Sequence, residues 1–118
     1  MATSSPRKRR SPCPVACTLD VIGDKWTLLV VRDLFSGKTQ FKELAKSPER
    51  IATNILTDRL ERLLAYELIE RVPSPEHRGR HAYRLTEKGR SLHVPLEAIA
   101  EWGLEHLEGT EKRVAVSV

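Results

Sequence analysis

Apolar residues recur along most of this chain at helical spacing. Pro14 can open a helix as its first residue, and Val15, Leu19 and Ile22 follow three or four apart until Gly23 offers a stop. Asp24 can cap a second helix with the stripe Trp26, Leu29, Val30 and Leu34, closed by Phe35 and ended by Ser36-Gly37. Thr39 can cap a short third helix through Phe41, Leu44 and Ala45, after which Ser47-Pro48-Glu49 reads as a turn. Over residues 51–65, Leu56, Leu60, Leu63 and Leu64 follow the i, i+4, i+7, i+8 pattern of a helix with one buried face. Leu68 to Val72 and His81 to Leu85 then read as two short strands. Between them lie Pro73, Pro75 and the polar tip Glu76-His77-Arg78-Gly79-Arg80, which makes the pair a β-hairpin. Thr86 begins a last helical region that runs to about Glu108, with Pro95 marking a bend or a restart.

Four helices, a hairpin and a final helix form the layout of a winged helix-turn-helix. The fold class is mainly α with a small β wing (α+β). The domain spans residues 13–108. Residues 1–12 (MATSSPRKRRSP) have nothing to bury and read as a disordered basic arm, and 109–118 as a flexible tail. A chain of 118 residues has room for one thin core, and with aromatics at only 5% that core must be aliphatic. The longest apolar run, Leu28 to Val31, falls far short of the ~20 residues that span a bilayer, and no apolar stretch follows the basic N-terminus as a secretory signal would require. Membrane association and export are therefore disfavoured. Two cysteines make no disulfide framework, so a reducing, cytoplasmic compartment is expected.

Charge is spread unevenly. Arg7, Lys8, Arg9 and Arg10 stand without an acid among the first ten residues. From Lys38 to Arg90 there are 12 Lys/Arg against 8 Asp/Glu, whereas from Ser91 to Val118 there are 2 against 5. A basic middle and an acidic end suit a polyanion on one face and something else on another, although scattered solvating charge would give the same totals.

The leucine-rich helix carries the candidate reading surface. With Leu56 and Leu60 inward, steps of ~100° per residue turn Asn54, Thr57, Asp58 and Glu61 outward, with Thr53 at the start and Arg59 at the flank. Asn can bond an adenine edge in a bidentate manner and Thr offers a hydroxyl and a methyl, while Asp58 can accept from a cytosine amine or hold Arg62. Any amphipathic helix has a polar outer face, so the hairpin tip matters: His77, Arg78 and Arg80 concentrate donors suited to phosphates or the minor groove, with Arg84 further down the strand. Lys38, Gln40 and Lys42 can add phosphate contacts, aided by the N-terminus of the third helix.

The last helix predicts a homodimer. Leu92, Leu96, Ile99, Gly103 and Leu107 form one stripe and Val94, Ala98 and Trp102 another. So wide an apolar arc exceeds what one helix needs to dock on its own small core. The competing reading is that Trp102 and its neighbours complete the monomer. Glu97, Glu101, Glu105 and Glu108 would face away from DNA.

Three segments, CPVACTLDVIGDKWTLLVVRDL, FKELAKSPERIATNILTDRLERL and YRLTEKGRSL, resemble the HxlR family of prokaryotic winged helix-turn-helix transcriptional regulators, from about Cys13 to Leu107. The resemblance implies a homodimer made through the terminal helices on a roughly palindromic double-stranded DNA operator. It places the recognition helix at Thr53 through Leu63 and the wing at Pro73 through His81. It also matches Cys13 to a cysteine before Pro-Val that senses oxidants or electrophiles in some members. Arg9, Arg10 and the helix start at Pro14 favour a reactive thiolate there, and Cys17 could resolve a sulfenic acid. In the alternative, Cys13 packs as a small hydrophobe. One departure concerns the turn after the recognition helix, usually Ala-Gly-Leu, which here is Tyr66-Glu67-Leu68. A left-handed Glu67 would cost on the order of 1 kcal/mol.

No Ser/His/Asp set, phosphate loop or carboxylate pair suggests an enzyme. No cofactor is implied, and two thiols with four scattered histidines make no metal site. The expected function is a sequence-specific DNA-binding regulator, with a thiol-reactive or small-molecule effector as a variant. The alternative is a winged-helix protein-interaction module without sequence-specific DNA binding.

Overall fold

The structure is a computed structural model that describes residues 9–111. Most of the arm expected at 1–12 and of the tail expected at 109–118 lies outside the described residues. Helix α1 (Pro14–Ile22) opens on its proline, where a missing N–H costs nothing, and the Gly23 N–H closes its last turn on the Leu19 carbonyl at 2.8 Å. Asp24 starts α2 (Thr27–Phe35) by accepting the Trp26 and Thr27 N–H groups at 3.0 and 3.3 Å. Thr39 does not cap α3 (Phe41–Leu44). Gln40 occupies the cap position, and the Glu43 carboxylate reaches back to the Thr39 and Gln40 N–H groups at 2.9 and 3.0 Å. Helix α4 (Thr53–Ala65) starts two residues later than the apolar pattern suggests, because Ile51 is buried in the preceding turn.

The departure at Glu67 is real and strained. Glu67 has φ 60°, its N–H donates to the Leu64 carbonyl at 3.0 Å, and the Leu68 N–H reaches the Leu63 carbonyl at 2.9 Å. This is the paired-bond ending of a helix in which the left-handed position normally falls to glycine. It turns the chain into β1 (Ile69–Pro73), which pairs antiparallel with β2 (His81–Leu85), Ile69 opposite Leu85 and Pro73 opposite His81. The Tyr83 N–H donates to the Thr39 carbonyl at 2.8 Å, so the α2–α3 connection lies along the other edge of β2.

The final helical region is divided. Helix α5 (Glu87–Arg90) is capped by the Thr86 hydroxyl, which accepts the Gly89 N–H at 3.0 Å, and α6 (His93–His106) follows. The break falls before Pro95, which sits in the first turn of α6 where no intrahelical N–H is required. Gly89 lets α5 pass close to the hairpin: a Cβ there would lie 1.9 Å from the Leu68 carbonyl oxygen.

Val31, Leu44, Leu56, Leu60 and Leu63 are fully enclosed, with Val30, Leu34, Phe35, Ile51, Leu68, Ile69 and Leu85 around them. Each such aliphatic side chain contributes roughly 1.5–3 kcal/mol by leaving water. This aliphatic core binds α2, α3, α4 and the sheet into one frame, on which the outer face of α4 and the hairpin tip are mounted. Leu92 and Leu96 of α6 pack against it from outside.

Candidate nucleic-acid interface

Helix α4 has one buried and one open face. Leu56, Leu60 and Leu63 are inside, whereas Thr53, Asn54, Thr57, Asp58 and Glu61 are exposed. Asn54 makes no hydrogen bond to any described residue, which leaves both ends of its amide for a base edge. The Thr57 hydroxyl donates to the Thr53 carbonyl at 2.9 Å and keeps its acceptor capacity and its methyl. Ala52 stands at the N-terminal cap and supplies no side-chain acceptor, so the first-turn N–H groups of α4 have no capping side chain.

Arg59 departs from the expected base-reading role. Its Nε donates to Asp24 Oδ2 at 2.7 Å and its Nη1 to Asp58 Oδ2 at 2.5 Å, with only 18% of the side chain exposed. Bonded to two carboxylates, the guanidinium is held at the helix flank. Asp58 therefore pairs with Arg59 and not with Arg62, whose Nη1 goes to Asp24 Oδ1 at 3.2 Å. Asp24 was legible only as a helix cap. In the fold it also receives both arginines, from residues 35 and 38 positions away.

The hairpin tip presents its cations outward. His77, Arg78 and Arg80 are exposed, and among the described residues no carboxylate pairs with either guanidinium. Gly79 takes φ +81° to close the tip, and the Ser74 N–H donates to the Arg80 carbonyl at 2.8 Å. Arg84 is neutralised across the strands by Glu70 at 2.7 Å. Gln40 is a second correction. It is buried, and its Nε2 donates to Ser74 Oγ at 3.1 Å and to Glu76 Oε1 at 3.3 Å. The same Ser74 hydroxyl accepts the Glu76 and His77 N–H groups. Gln40 thus braces the base of the wing and has no amide group left for phosphate. The N-terminus of α3 cannot assist Lys38 and Lys42 either, since Glu43 already occupies it. The Thr39 and Gln40 N–H groups hold that carboxyl below its ordinary pKa. Lys38 is half-buried and Lys42 exposed.

Two further features escaped the sequence reading. Arg50 is an exposed cation at φ 64° in the turn that leads into α4. Arg32 braces the same turn from α2, bonding Glu49 through both terminal nitrogens at 2.8 and 2.7 Å and Asp33 at 2.9 Å. The Arg32 hydrogen bonds hold the Glu49 carboxyl down at about 2.

The thiols belong to another part of the molecule, the start of α1. Cys13 is exposed and Cys17 half-buried, and both are free thiols. Cys17 Sγ donates to the Ser11 carbonyl at 3.0 Å, and Arg10 is tied back to Asp20 at 2.7 Å. Helix α6 has no buried residue. Val94, Ile99, Trp102 and Leu107 on α6 and Val15 and Leu19 on α1 are more than half exposed. Of the residues expected at a dimer interface, Leu92 and Leu96 are largely taken by the protein's own core, while Ile99, Trp102 and Leu107 remain open. No described helix is long and apolar enough to cross a membrane.

A helix-turn-helix braced on an aliphatic core, followed by a two-stranded wing with cations at its tip, defines a winged helix-turn-helix DNA-binding protein. Residues 21–111 match the profile of the HxlR-like helix-turn-helix family, and the chain belongs to that family. It is 37% identical over 111 residues to an uncharacterized HTH-type transcriptional regulator of Mycobacterium tuberculosis, covering 94% of this chain and 70% of the relative. Its fold is similar to that of PA1607, a candidate transcription factor, at TM-score 0.80 and 42% identity, over 93% of this chain and 77% of that one. The redox regulator HypR in its reduced form is similar at TM-score 0.71 and 33% identity, over 81% and 95% of the two chains. YodB of Bacillus subtilis, 30% identical over 81% of this chain and 87% of its own length, is known in reduced, diamide-treated and quinone-bound forms. The relatives are transcriptional regulators and not enzymes.

Proposed function

We propose that the protein acts as a homodimer that reads a two-fold symmetric operator with one α4 from each copy. The exposed polar face of α4 carries this reading: Thr53, Asn54, Thr57 and Asp58 present groups that base edges can bond, behind which the leucines are buried. Arg78 and Arg80, with His77, serve as wing contacts, and Lys38 and Lys42 as phosphate contacts. Arg59 and Gln40 hold these elements in place and do not touch DNA. The open face of α6 supplies the dimer contact through Ile99, Trp102 and Leu107. Cys13 and Cys17, on a helix with its own open apolar residues, are the groups a thiol-reactive signal would modify, as the quinone- and diamide-treated forms of YodB suggest.

Selection from random duplexes tests the proposal and should return a palindrome of two half-sites. Asn54→Ala should change the preferred base at one position in each half-site. Arg78→Ala with Arg80→Ala should weaken binding to all sequences and make the dependence of log affinity on log salt shallower by about 2, one unit for each lost phosphate contact. Selection of no motif by the wild-type protein would favour a protein-interaction module instead. Repeating the selection after treatment with a mild electrophile tests Cys13, with loss of enrichment expected in the wild type and retention in Cys13→Ser.

A further inference from the structure

The Asp24 carboxylate is the most heavily bonded side chain outside the reading face, and the helix cap accounts for only part of its partners. Oδ2 accepts the Trp26 and Thr27 N–H groups and Arg59 Nε, while Oδ1 accepts the Thr27 hydroxyl and Arg62 Nη1. A helix cap needs only the first two and the hydroxyl. The two guanidinium groups come from α4, one turn apart on its flank. They attach the recognition helix to a fixed point at the α1–α2 junction. Both are partly withdrawn from solvent, with 18% and 32% of the side chains exposed, and Asp24 itself is 23% exposed. Leucine packing alone fixes α4 weakly in rotation, because aliphatic contacts are non-directional. A bond to each of two arginines separated by three residues sets both the rotation of the helix about its axis and its height along it.

We propose that Asp24 is a positioning residue for sequence reading. It orients the exposed face of α4 through Arg59 and Arg62, so that base discrimination depends on a carboxylate that meets no base. This rests on α4 being the recognition helix. Charge supports the assignment. Partial burial alone would raise the Asp24 pKa, yet the bonds from Thr27, Arg59 and the Trp26 N–H, with the Arg59 charge, bring it down to about 2, so the clamp is ionised throughout the neutral range.

The test uses the full chain, a selected operator and a scrambled duplex. Asp24→Asn keeps an acceptor for the helix cap but loses the charge that holds the arginines. The ratio of operator to scrambled affinity should fall at least tenfold, with the salt slope unchanged. Arg59→Lys keeps the positive charge without the planar fork and should lower the ratio in the same direction. A purely structural role would lower melting temperature and reduce affinity for both duplexes equally, leaving the ratio where it was. A folded Asp24→Asn or Arg59→Lys protein with the wild-type ratio overturns the proposal. So does Arg59→Ala if it changes preference at a single base position, since Arg59 would then be a reader. If Asp24→Asn does not fold, Arg59→Lys decides alone. A wild-type protein with no preference for any duplex would instead overturn the reading of α4.

Discussion

Glu67 and Arg50 are the two non-glycine residues with positive φ among those described, at 60° and 64°. Both are exposed, so their side chains gain little from the position. Replacing Glu67 with Gly removes the left-handed penalty at the end of α4 and adds some unfolded-state entropy. The net expectation is a stabilisation of about 0.5–1 kcal/mol, read from the urea midpoint at constant m-value. The same change at Arg50 should stabilise comparably, and it also removes a cation beside α4. A loss of DNA affinity in Arg50→Gly without a loss of stability would mark Arg50 as a phosphate contact. Asp24 and Glu49 make a different prediction. Their carboxyls sit at about 2 in the fold against ordinary values of 3.8 and 4.5. A lowered native pKa means stability that is present above the unfolded value and lost as pH falls toward the native one. Stability should therefore hold from neutrality to about pH 5 and decline between about pH 4.5 and 2. Asp24 accounts for roughly 2 kcal/mol of that decline and Glu49, at 40% exposed, for less. Urea unfolding followed against pH should show a flatter acid limb in Asp24→Asn.

At the scale of elements, the apolar periods placed every helix and both strands to within a residue or two, because burial of one face follows directly from spacing. The ends were less legible. Thr39 and Gln40 are equally plausible caps for α3 on local chemistry, and Glu43 resolved the choice by taking the N–H groups of both. The last helical region read as one helix with a bend at Pro95. The structure breaks it earlier, where Gly89 brings α5 against the Leu68 carbonyl, a contact between segments about twenty residues apart. The wing shows the same division. Its strands and cationic tip were visible in order and composition, whereas the Gln40–Ser74 bond that steadies its base joins residues 34 positions apart. Gln40→Ala should cost about 1 kcal/mol in urea unfolding, the loss of a buried neutral hydrogen bond. It should also weaken DNA binding less than the double Arg78, Arg80 change, since it disorders the wing without removing its charge.

For the whole molecule, the open apolar surface is the feature a monomer does not explain. Helix α6 lies on the core through Leu92 and Leu96 but leaves Trp102 59% and Ile99 55% exposed, and α1 adds Val15 and Leu19. A second copy covering this surface would bury the aromatic anchor that dominates interfaces of this kind. Trp102→Ala should raise the dimer dissociation constant about a hundredfold, equivalent to the roughly 3 kcal/mol typical of such an anchor, in sedimentation velocity across a concentration series. A wild-type chain that sediments as a monomer at tens of micromolar would overturn the dimer and with it the palindrome.

Which residues face inward, which segment reads and which tip carries cations were all determined by the order of apolar and polar residues, because period and local charge are properties of neighbours in the chain. What those charges do was decided by the fold. Arg59 and Gln40 have the chemistry of DNA contacts, and only the arrival of Asp24 and Ser74 from distant parts of the chain turned them into braces. A count of charges is local, but the pairing of charges depends on which surfaces the core brings together.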